Sequence, residues 1–237
     1  MELSADRRAQ LFDAGASALR FNAPMSDDRA AQLIDELRRH EPRAVVDLGC
    51  GRGELARLVA TRLTNATVIG VDTDAAAITA ARRLAVASGL GRRIQYEVAD
   101  AATWTGSVDA AMCVGASHAF GGPAGLFSRL ADLVSTGAAV VGDGFWETDP
   151  DPWCSAAFGE LPRGVDGLAA LAEAAGWAVV AADQSTQDEW DTFEETWVSG
   201  VRSIGTAAAD AFAEQRERQY RDRYRTVLGF AWLVVTR

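Results

Sequence analysis

Lysine is absent from this chain, because all 23 basic residues among its 237 are arginine. Schiff-base chemistry, a lysine general base and a phosphate-binding P-loop lysine are therefore excluded. Histidine is nearly absent too, with only His40 and His118 able to exchange a proton near neutral pH. Acid–base catalysis consequently has few candidate side chains in this protein.

The three cysteines, Cys50, Cys113 and Cys154, form no CxxC pair, which argues against a disulfide framework or a cysteine zinc site. Neither the cysteines nor the acidic residues have metal-ligand spacing, so we expect no metal. Apolar runs stay short of the 18 residues that suggest a membrane span, and the first residues, MELSADRRAQLF, lack the apolar centre of a signal peptide. These absences predict a cytoplasmic protein without a membrane partner.

Positive charge is also scarce, with a net charge of −10 and no basic tail. Binding to duplex nucleic acid normally needs clustered positive charge, so we expect no nucleic-acid partner. Residues 216–225, RERQYRDRYR, are Arg-rich, but the interspersed Glu217 and Asp222 favour a solvent-exposed helix face. Length and composition suit one globular domain, as a monomer or homodimer.

Apolar strand-like runs alternate with helical segments through the first part of the chain. Strands are predicted at 44–48, 67–72, 93–100, 108–115, 138–145, 177–184 and 230–236. Near-continuous apolar strands separated by helices indicate parallel strands covered on both faces. The last strand follows a helical insert over about 188–226 and is expected to pair antiparallel with 177–184. We therefore predict an α/β fold with a doubly wound, mostly parallel seven-stranded sheet and an antiparallel last strand.

Residues 45–55, VVDLGCGRGEL, place three glycines directly after the first strand. Ligands of open α/β sheets bind outside the carboxyl ends of the strands, and glycines let a backbone approach a ligand closely. Glu54 stands where the dinucleotide-binding fingerprint has its third glycine, and Asp47 adds a negative charge before the turn. These charges suit a ligand with a cationic part and disfavour the pyrophosphate of NAD or FAD.

Three motifs together resemble the class I S-adenosylmethionine-dependent methyltransferases. VVDLGCGRG is similar to the first motif of that family, an acidic residue followed by GxGxG. VIGVDTD (68–74) and YEVADAATW (96–104) place Asp72 and Asp100 at the ends of the second and third strands, as the family does. Asp72 lies 21 residues after Gly51, the separation expected of a ribose-binding acid. The resemblance covers residues 40–145.

This resemblance implies S-adenosylmethionine as the cofactor and S-adenosylhomocysteine as its product. It implies that Asp47 and Gly49 face the methionine moiety, that Asp72 accepts hydrogen bonds from the ribose hydroxyls, and that Asp100 accepts one from the adenine amino group. Cys50 is expected to be a packing residue rather than a nucleophile. The other cofactor-binding candidates are Cys50 itself, Gly51, Gly53, Thr73, Ala101, Val114 and Phe21, with Trp104 over the base.

The acceptor side is predicted where the fourth strand ends, in CVGASHAFGG (113–122). His118 is the candidate catalytic residue, as a general base or as an orienting group for the acceptor. A loop histidine bonded to backbone, or one that merely lines the cofactor site, is the alternative. The other acceptor-binding candidates are aromatic: Phe145, Trp146, Trp153 and Trp190. Anchoring of the insert to the core explains its tryptophans equally well.

We expect a single domain over 1–237, divided into parts with different tasks. Residues 1–42 would form an N-terminal helical cap, with helices at 5–19 and 27–40. Residues 43–145 would form the cofactor-binding core. Residues 146–166, a long irregular connection, and 185–228 would form the acceptor-side loop and helical lid.

The function predicted from these residues is methyl transfer to a small, partly apolar molecule, by in-line displacement in an aromatic-lined pocket. A thiol or amine acceptor is favoured over a hydroxyl because the site is poor in bases. Three alternatives stay open: a methyltransferase acting on RNA or protein, a nicotinamide-dependent Rossmann oxidoreductase, and a non-catalytic cofactor-binding module.

Overall fold

The structure, a computed structural model, describes residues 3–237, so the first two residues of the predicted cap lie outside it. These residues form two compact units. The core unit comprises Ser26–Phe145, Leu161–Gln184 and Phe230–Arg237. The helical unit comprises the residues up to Met25, Trp146–Glu160 and Ser185–Gly229. In the described range every helix is too short or too polar to cross a membrane.

Seven strands form one sheet in the described residues. In chain order they are β1 (Ala44–Leu48), β2 (Thr67–Asp72), β3 (Ile94–Val98), β4 (Ala110–Val114), β5 (Ala138–Trp146), β6 (Ala178–Gln184) and β7 (Leu228–Thr236). Their order across the sheet is β3-β2-β1-β4-β5-β7-β6. The β1–β2, β2–β3, β1–β4 and β4–β5 pairs are parallel, and the β6–β7 pair is antiparallel. The predicted fold class, including the antiparallel last strand, is confirmed.

The first two helices lie within the segments predicted at 5–19 and 27–40, and the others lie between the strands. In chain order they are α1 (Ala5–Ala18), α2 (Asp27–Arg38), α3 (Glu54–Arg62), α4 (Ala75–Ala87), α5 (Pro123–Leu133), α6 (Pro152–Phe158), α7 (Gly164–Ala174), α8 (Gln187–Arg202) and α9 (Ala207–Gln219). Side-chain caps mark several starts: Ser26 accepts from the Arg29 N–H at 3.2 Å, and Asp74 accepts from the Ala76 N–H at 2.8 Å.

The core unit has one apolar cluster on each face of the sheet, because successive strand residues point to opposite faces. Val46 and Val141 belong to the cluster under α5 and α7, which contribute Phe127 and Leu168. The second cluster lies under α2, α3 and α4. Because β1, β2, β3 and β4 pair in parallel, their carboxyl ends lie at the same edge of the sheet.

The helical unit is built around α1, α8 and α9. Gly15 and Gly200 sit where α1 and α8 cross, and a side chain on either glycine would overlap Trp197 or Ala18. Trp197 and Leu11 lie in the apolar cluster of this unit. A capping box between Thr186 and Glu189 starts α8.

The connection after β5 differs from the predicted irregular loop, because it contains α6. Asp151 caps this short helix by accepting from the Cys154 N–H at 2.7 Å, and Pro152 follows at the first helical position, where its missing N–H is not needed. Here an aspartate followed by a proline begins a helix.

Candidate functional site

The glycine turn between β1 and α3 has three residues in the left-handed region: Gly49, Gly51 and Gly53 have φ of 75°, 51° and 72°. Gly49 donates its N–H to the Val71 carbonyl of β2 at 2.8 Å. A Cβ added to Gly49 would meet the Ala116 Cβ at 2.5 Å, and one added to Gly53 would overlap the Tyr96 ring. A Cβ on Gly51 would meet no atom within 4 Å. Gly51 is thus the member of the turn whose backbone is open to an approaching molecule.

Asp72, at the end of β2, holds this turn with its carboxylate. One oxygen accepts the Gly51 N–H at 2.8 Å and the other accepts the Asp74 N–H at 2.9 Å. An ionised carboxylate offers about four acceptor positions, so half of its capacity is left after these two bonds. Thr73, beside it, is exposed.

Asp47, in β1, is a buried carboxyl group with 2% of its surface exposed. Burial, followed by the negative charge of Asp72, raises its pKa to about 7, against the opposing effect of the Ala56 N–H. Its Oδ2 finds no hydrogen-bond partner among residues 3–237. A cationic ligand group at this position would satisfy that oxygen and favour its ionised form.

Two residues at the turn, Glu54 and Cys50, add little net negative charge to it. Glu54, at the start of α3, forms an ion pair with Arg57, which offsets the negative charge that weighed against a pyrophosphate. The Cys50 thiol is buried, and its pKa is raised above the ordinary value mainly by burial, so it stays protonated. A protonated, buried thiol agrees with the predicted packing role of Cys50.

After β3, Asp100 shapes a turn of its own. It is exposed, and its Oδ1 accepts the Ala102 N–H at 2.9 Å, while Ala101 is buried beside it. Trp104 is buried in the cluster under α5 and α7, and its Nε1 donates to Glu97 Oε2 at 2.9 Å. This core packing accounts for Trp104 without a ligand.

The carboxyl ends of β4 and β5 bring together the predicted catalytic histidine and a second buried carboxylate. Val114 ends β4, and a 3₁₀ helix, Ser117–Phe120, follows with His118 exposed on it. Asp143 of β5 is 7% exposed. Burial raises its pKa above the ordinary value and outweighs the opposing effects of hydrogen bonds from Ser117 and Gly144 and of the charge of His118. Phe145, two residues on, is fully enclosed in the apolar cluster under α5 and α7.

The remaining predicted residues belong to the helical unit: Phe21, Trp146, Trp153 and Trp190. Phe21 is buried, and the Arg20 guanidinium lies 5.3 Å from its ring centroid. Within this unit the three tryptophans join a connected aromatic cluster. Its ring contacts are Trp146–Phe158, Trp153–Phe158, Trp153–Tyr224, Tyr224–Tyr220 and Tyr220–Trp190, with centroids 5.2–6.5 Å apart.

Tyr220 and Tyr224 were missed as partners of the tryptophans because they lie in the Arg-rich stretch predicted to face solvent. Arg221 and Asp222 are exposed there, whereas both tyrosines are buried. Arg216 is bonded to the buried Glu194 through two nitrogens, at 2.7 and 2.9 Å. A tyrosine four residues after another was the available signal of a buried helical stripe.

The described residues contain no group of three or more His, Cys, Asp and Glu side chains arranged to hold a metal ion. The charged groups at the carboxyl edge of the core unit are instead single carboxylates. Two of them, Asp47 and Asp143, keep one buried oxygen without a partner within residues 3–237. Such an edge is suited to an organic ligand with cationic and hydrogen-donating groups.

Part of the chain is similar in sequence to known methyltransferases. A family model described as "Methyltransferase domain" matches residues 45–137, from β1 to just before β5. The trans-aconitate 2-methyltransferase of Methylobacterium radiotolerans is 43% identical over 77 residues, or 32% of this chain and 27% of that protein. The chain thus matches about a quarter of the length of that relative.

Two other similarities extend over most of the chain. The uncharacterized protein YjhP of Escherichia coli K12 is 27% identical over 215 residues, covering 87% of this chain and 86% of that protein. A SAM-dependent methyltransferase from Thiobacillus denitrificans, crystallised with S-adenosyl-L-homocysteine, superposes with a TM-score of 0.81 at 27% identity and covers 100% of both chains.

Proposed function

We propose that this chain, which belongs to the class I S-adenosylmethionine-dependent methyltransferase family, transfers a methyl group from that cofactor to a nucleophilic atom of a small molecule. The observation that carries the proposal is the carboxyl edge of the core unit. There, the open backbone of Gly51 lies beside Asp72, and Asp47 keeps an unpartnered buried oxygen. No separate metal or second cofactor is invoked.

The residues of the glycine turn fit S-adenosylmethionine in charge and shape. The free acceptor positions of Asp72 would take the ribose hydroxyls, and the exposed Asp100 would take the adenine amino group. The unpartnered oxygen of Asp47 would face the cationic methionine end. Gly49, Cys50, Gly53, Thr73, Ala101 and Val114 would complete these contacts, and Phe21 is also proposed as a cofactor contact.

The bound cofactor supplies a methyl group on a positively charged sulfur. The acceptor's lone pair forms the new bond to the methyl carbon, the carbon–sulfur bond breaks, and its electron pair stays on sulfur as S-adenosylhomocysteine. The chain contributes alignment and exclusion of water. His118, exposed at the end of β4, would orient the acceptor and take the proton that a thiol or amine releases.

We propose that the acceptor is partly apolar, as the aromatic contacts predicted for it would require. Trp146, Trp153 and Trp190 are proposed to contact it, and Trp190 Nε1 is a buried donor with no partner among the described residues. Phe145 is also proposed as an acceptor contact. A thiol or amine remains the proposed nucleophile because, of the two histidines, only His118 follows a strand at this edge.

Trans-aconitate is a second candidate acceptor, since relatives named for its methylation are 29–43% identical to parts of this chain. Those similarities cover at most 47% of the chain, so they support the proposed cofactor more directly than the proposed acceptor.

The test is a transfer assay with methyl-labelled S-adenosylmethionine. The panel holds small thiols, amines, phenols and trans-aconitate, with total RNA and total protein as macromolecular acceptors. We expect label in a small thiol or amine, none with Asp72→Ala at limiting cofactor, and calorimetric binding of S-adenosylhomocysteine. Label mainly in RNA or protein would replace the small-molecule proposal. Binding of NADH without binding of S-adenosylhomocysteine would overturn the methyltransferase itself.

A further inference from the structure

Asp143 interrupts an apolar stripe on β5. Alternate residues of this strand share a face, and Ala139, Val141 and Phe145 all lie in the cluster under α5 and α7. Asp143 occupies the position between Val141 and Phe145. A carboxylate in such surroundings is costly unless it is bonded or paired.

The bonds that Asp143 makes within the protein use only part of its capacity. Its Oδ1 accepts the Gly144 N–H at 2.8 Å, and the Ser117 hydroxyl lies close enough to lower its pKa, but its Oδ2 is buried and forms no hydrogen bond with any of residues 3–237. A buried acceptor without a hydrogen bond destabilises the folded protein. Asp109 shows the bonding expected of a purely structural aspartate, because its Oδ2 accepts the N–H groups of Arg43 and Ala44 at 2.8 and 2.9 Å.

Asp143 lies beside the segment predicted to bind the acceptor and away from the glycine turn. Gly142 pairs with Val114, so Asp143 lies one residue beyond the last paired position of β4 and β5. The 3₁₀ helix with Ser117 and His118 follows β4 at the same edge, and both residues act on the pKa of Asp143. β5 is two strands from β1, about 10 Å at ordinary strand spacing.

We propose that Asp143 is a specificity-determining residue that binds an N–H group of the acceptor through Oδ2 and so selects amines over polycarboxylates. This inference rests on the proposed function, and it names the acceptor class of that site. A protonated amine would supply both the missing hydrogen-bond donor and the opposite charge on binding, and it would then give one proton to His118, which frees the lone pair that attacks the methyl carbon. A polycarboxylate would instead bring like charge against a buried carboxylate, which opposes binding. The preference would therefore differ from that of the relatives named for trans-aconitate.

The experiment compares phenethylamine, 2-phenylethanethiol and trans-aconitate as acceptors for the wild type, Asp143→Asn and Asp109→Asn. Asparagine keeps the size of the side chain and removes its charge. We expect the wild type to show a kcat/KM for phenethylamine at least tenfold above that for trans-aconitate. For the amine, the kcat/KM of Asp143→Asn should be ten- to a hundredfold below that of the wild type, mainly because KM rises. The dissociation constant of S-adenosylhomocysteine should change less than twofold. Asp109→Asn should leave the amine preference intact.

The outcomes separate the two proposals. A wild type that prefers trans-aconitate or the thiol, or an Asp143→Asn enzyme as active on the amine as the wild type, would overturn the role of Asp143 and leave the methyltransferase proposal standing. Absence of S-adenosylhomocysteine binding would overturn the methyltransferase proposal instead. If Asp143→Asn does not fold, calorimetric titration of phenethylamine and trans-aconitate into the wild-type complex with S-adenosylhomocysteine decides the preference directly.

Discussion

The carboxylate of Asp72 accepts the backbone N–H of Gly51 at 2.8 Å and so joins the end of β2 to the turn after β1. The same side chain caps its own turn through the Asp74 N–H. Asp72 therefore fixes the open stretch of backbone at Gly51 while keeping acceptor capacity for a ligand. Positioning and binding are combined in one carboxylate.

Replacement of Asp72 by alanine should weaken cofactor binding by about 2–3 kcal/mol, because charge-assisted hydrogen bonds to the ribose are lost. Calorimetry with S-adenosylhomocysteine measures the change. Asp109→Ala is the matched control, since Asp109 also accepts two backbone N–H groups but precedes β4, at its amino end. Equal affinity of the Asp72 variant and the wild type would remove Asp72 from the binding site.

Gly51→Ala should lower cofactor affinity at least tenfold, because a methyl group would occupy the open space beside the turn. Gly89→Ala controls for backbone strain, since Gly89 also has a positive φ, 71°, and no atom within 4 Å of an added Cβ. Both variants should lose about 1–2 kcal/mol of unfolding free energy. A matching loss of affinity in both would show that strain, not ligand contact, is measured at Gly51.

Because the pKa of Asp47 is raised in the folded protein, we expect the free energy of unfolding to fall as pH rises. Its pKa is about 7 in the folded protein and 3.8 ordinarily, so the folded state binds more protons between these values. The slope is at most about 1.4 kcal/mol per pH unit. Urea unfolding at pH 5, 6, 7 and 8 should show this slope in the wild type and a smaller one in Asp47→Asn.

The same carboxyl group should couple cofactor binding to pH. A cationic ligand favours ionised Asp47, so wild-type affinity for S-adenosylmethionine should rise from pH 5.5 to 7.5, whereas Asp47→Asn should bind more weakly with a flatter profile. Parallel pH profiles of the two proteins would contradict a contact between Asp47 and the cationic end of the cofactor.

His118→Ala should lower kcat at least tenfold while S-adenosylhomocysteine affinity stays within threefold, because the imidazole is proposed to act on the acceptor. His40→Ala is the control, as His40 is an exposed residue just after α2. Steady-state rates with the best acceptor of the panel provide the measurement. Full activity of the His118 variant would exclude it from the reaction.

Arg216→Ala should destabilise the protein by about 3 kcal/mol, because it leaves the buried Glu194 carboxylate without its ion pair. The Arg216 guanidinium also lies 4.1 Å from the Trp197 ring centroid. Arg202→Ala removes a comparable pair with Glu217, but both side chains are more than 40% exposed, so we expect a loss below about 1 kcal/mol. Equal losses in chemical denaturation would contradict this difference.

Much of the core unit could be predicted because its signals are local. The glycines after β1 and the aspartates after β2 and β3 are short motifs, and parallel strands bring such motifs to one edge. The charge of Glu54 was weaker evidence against a pyrophosphate ligand, since Arg57, one helical turn later, offsets it. The helix α6 was not predicted because an aspartate followed by a proline, as at Asp151 and Pro152, is also common in loops.

The sequence by itself determined the fold class, the position of the glycine turn and the acidic residues around it, since hydrophobic period and turn residues act over a few neighbours. Only the tertiary structure decided that Asp47 and Asp143 are buried with unpartnered oxygens, and that Tyr220 and Tyr224 join the tryptophans. Burial and hydrogen-bond satisfaction depend on contacts between residues far apart in the chain, which a local pattern does not encode.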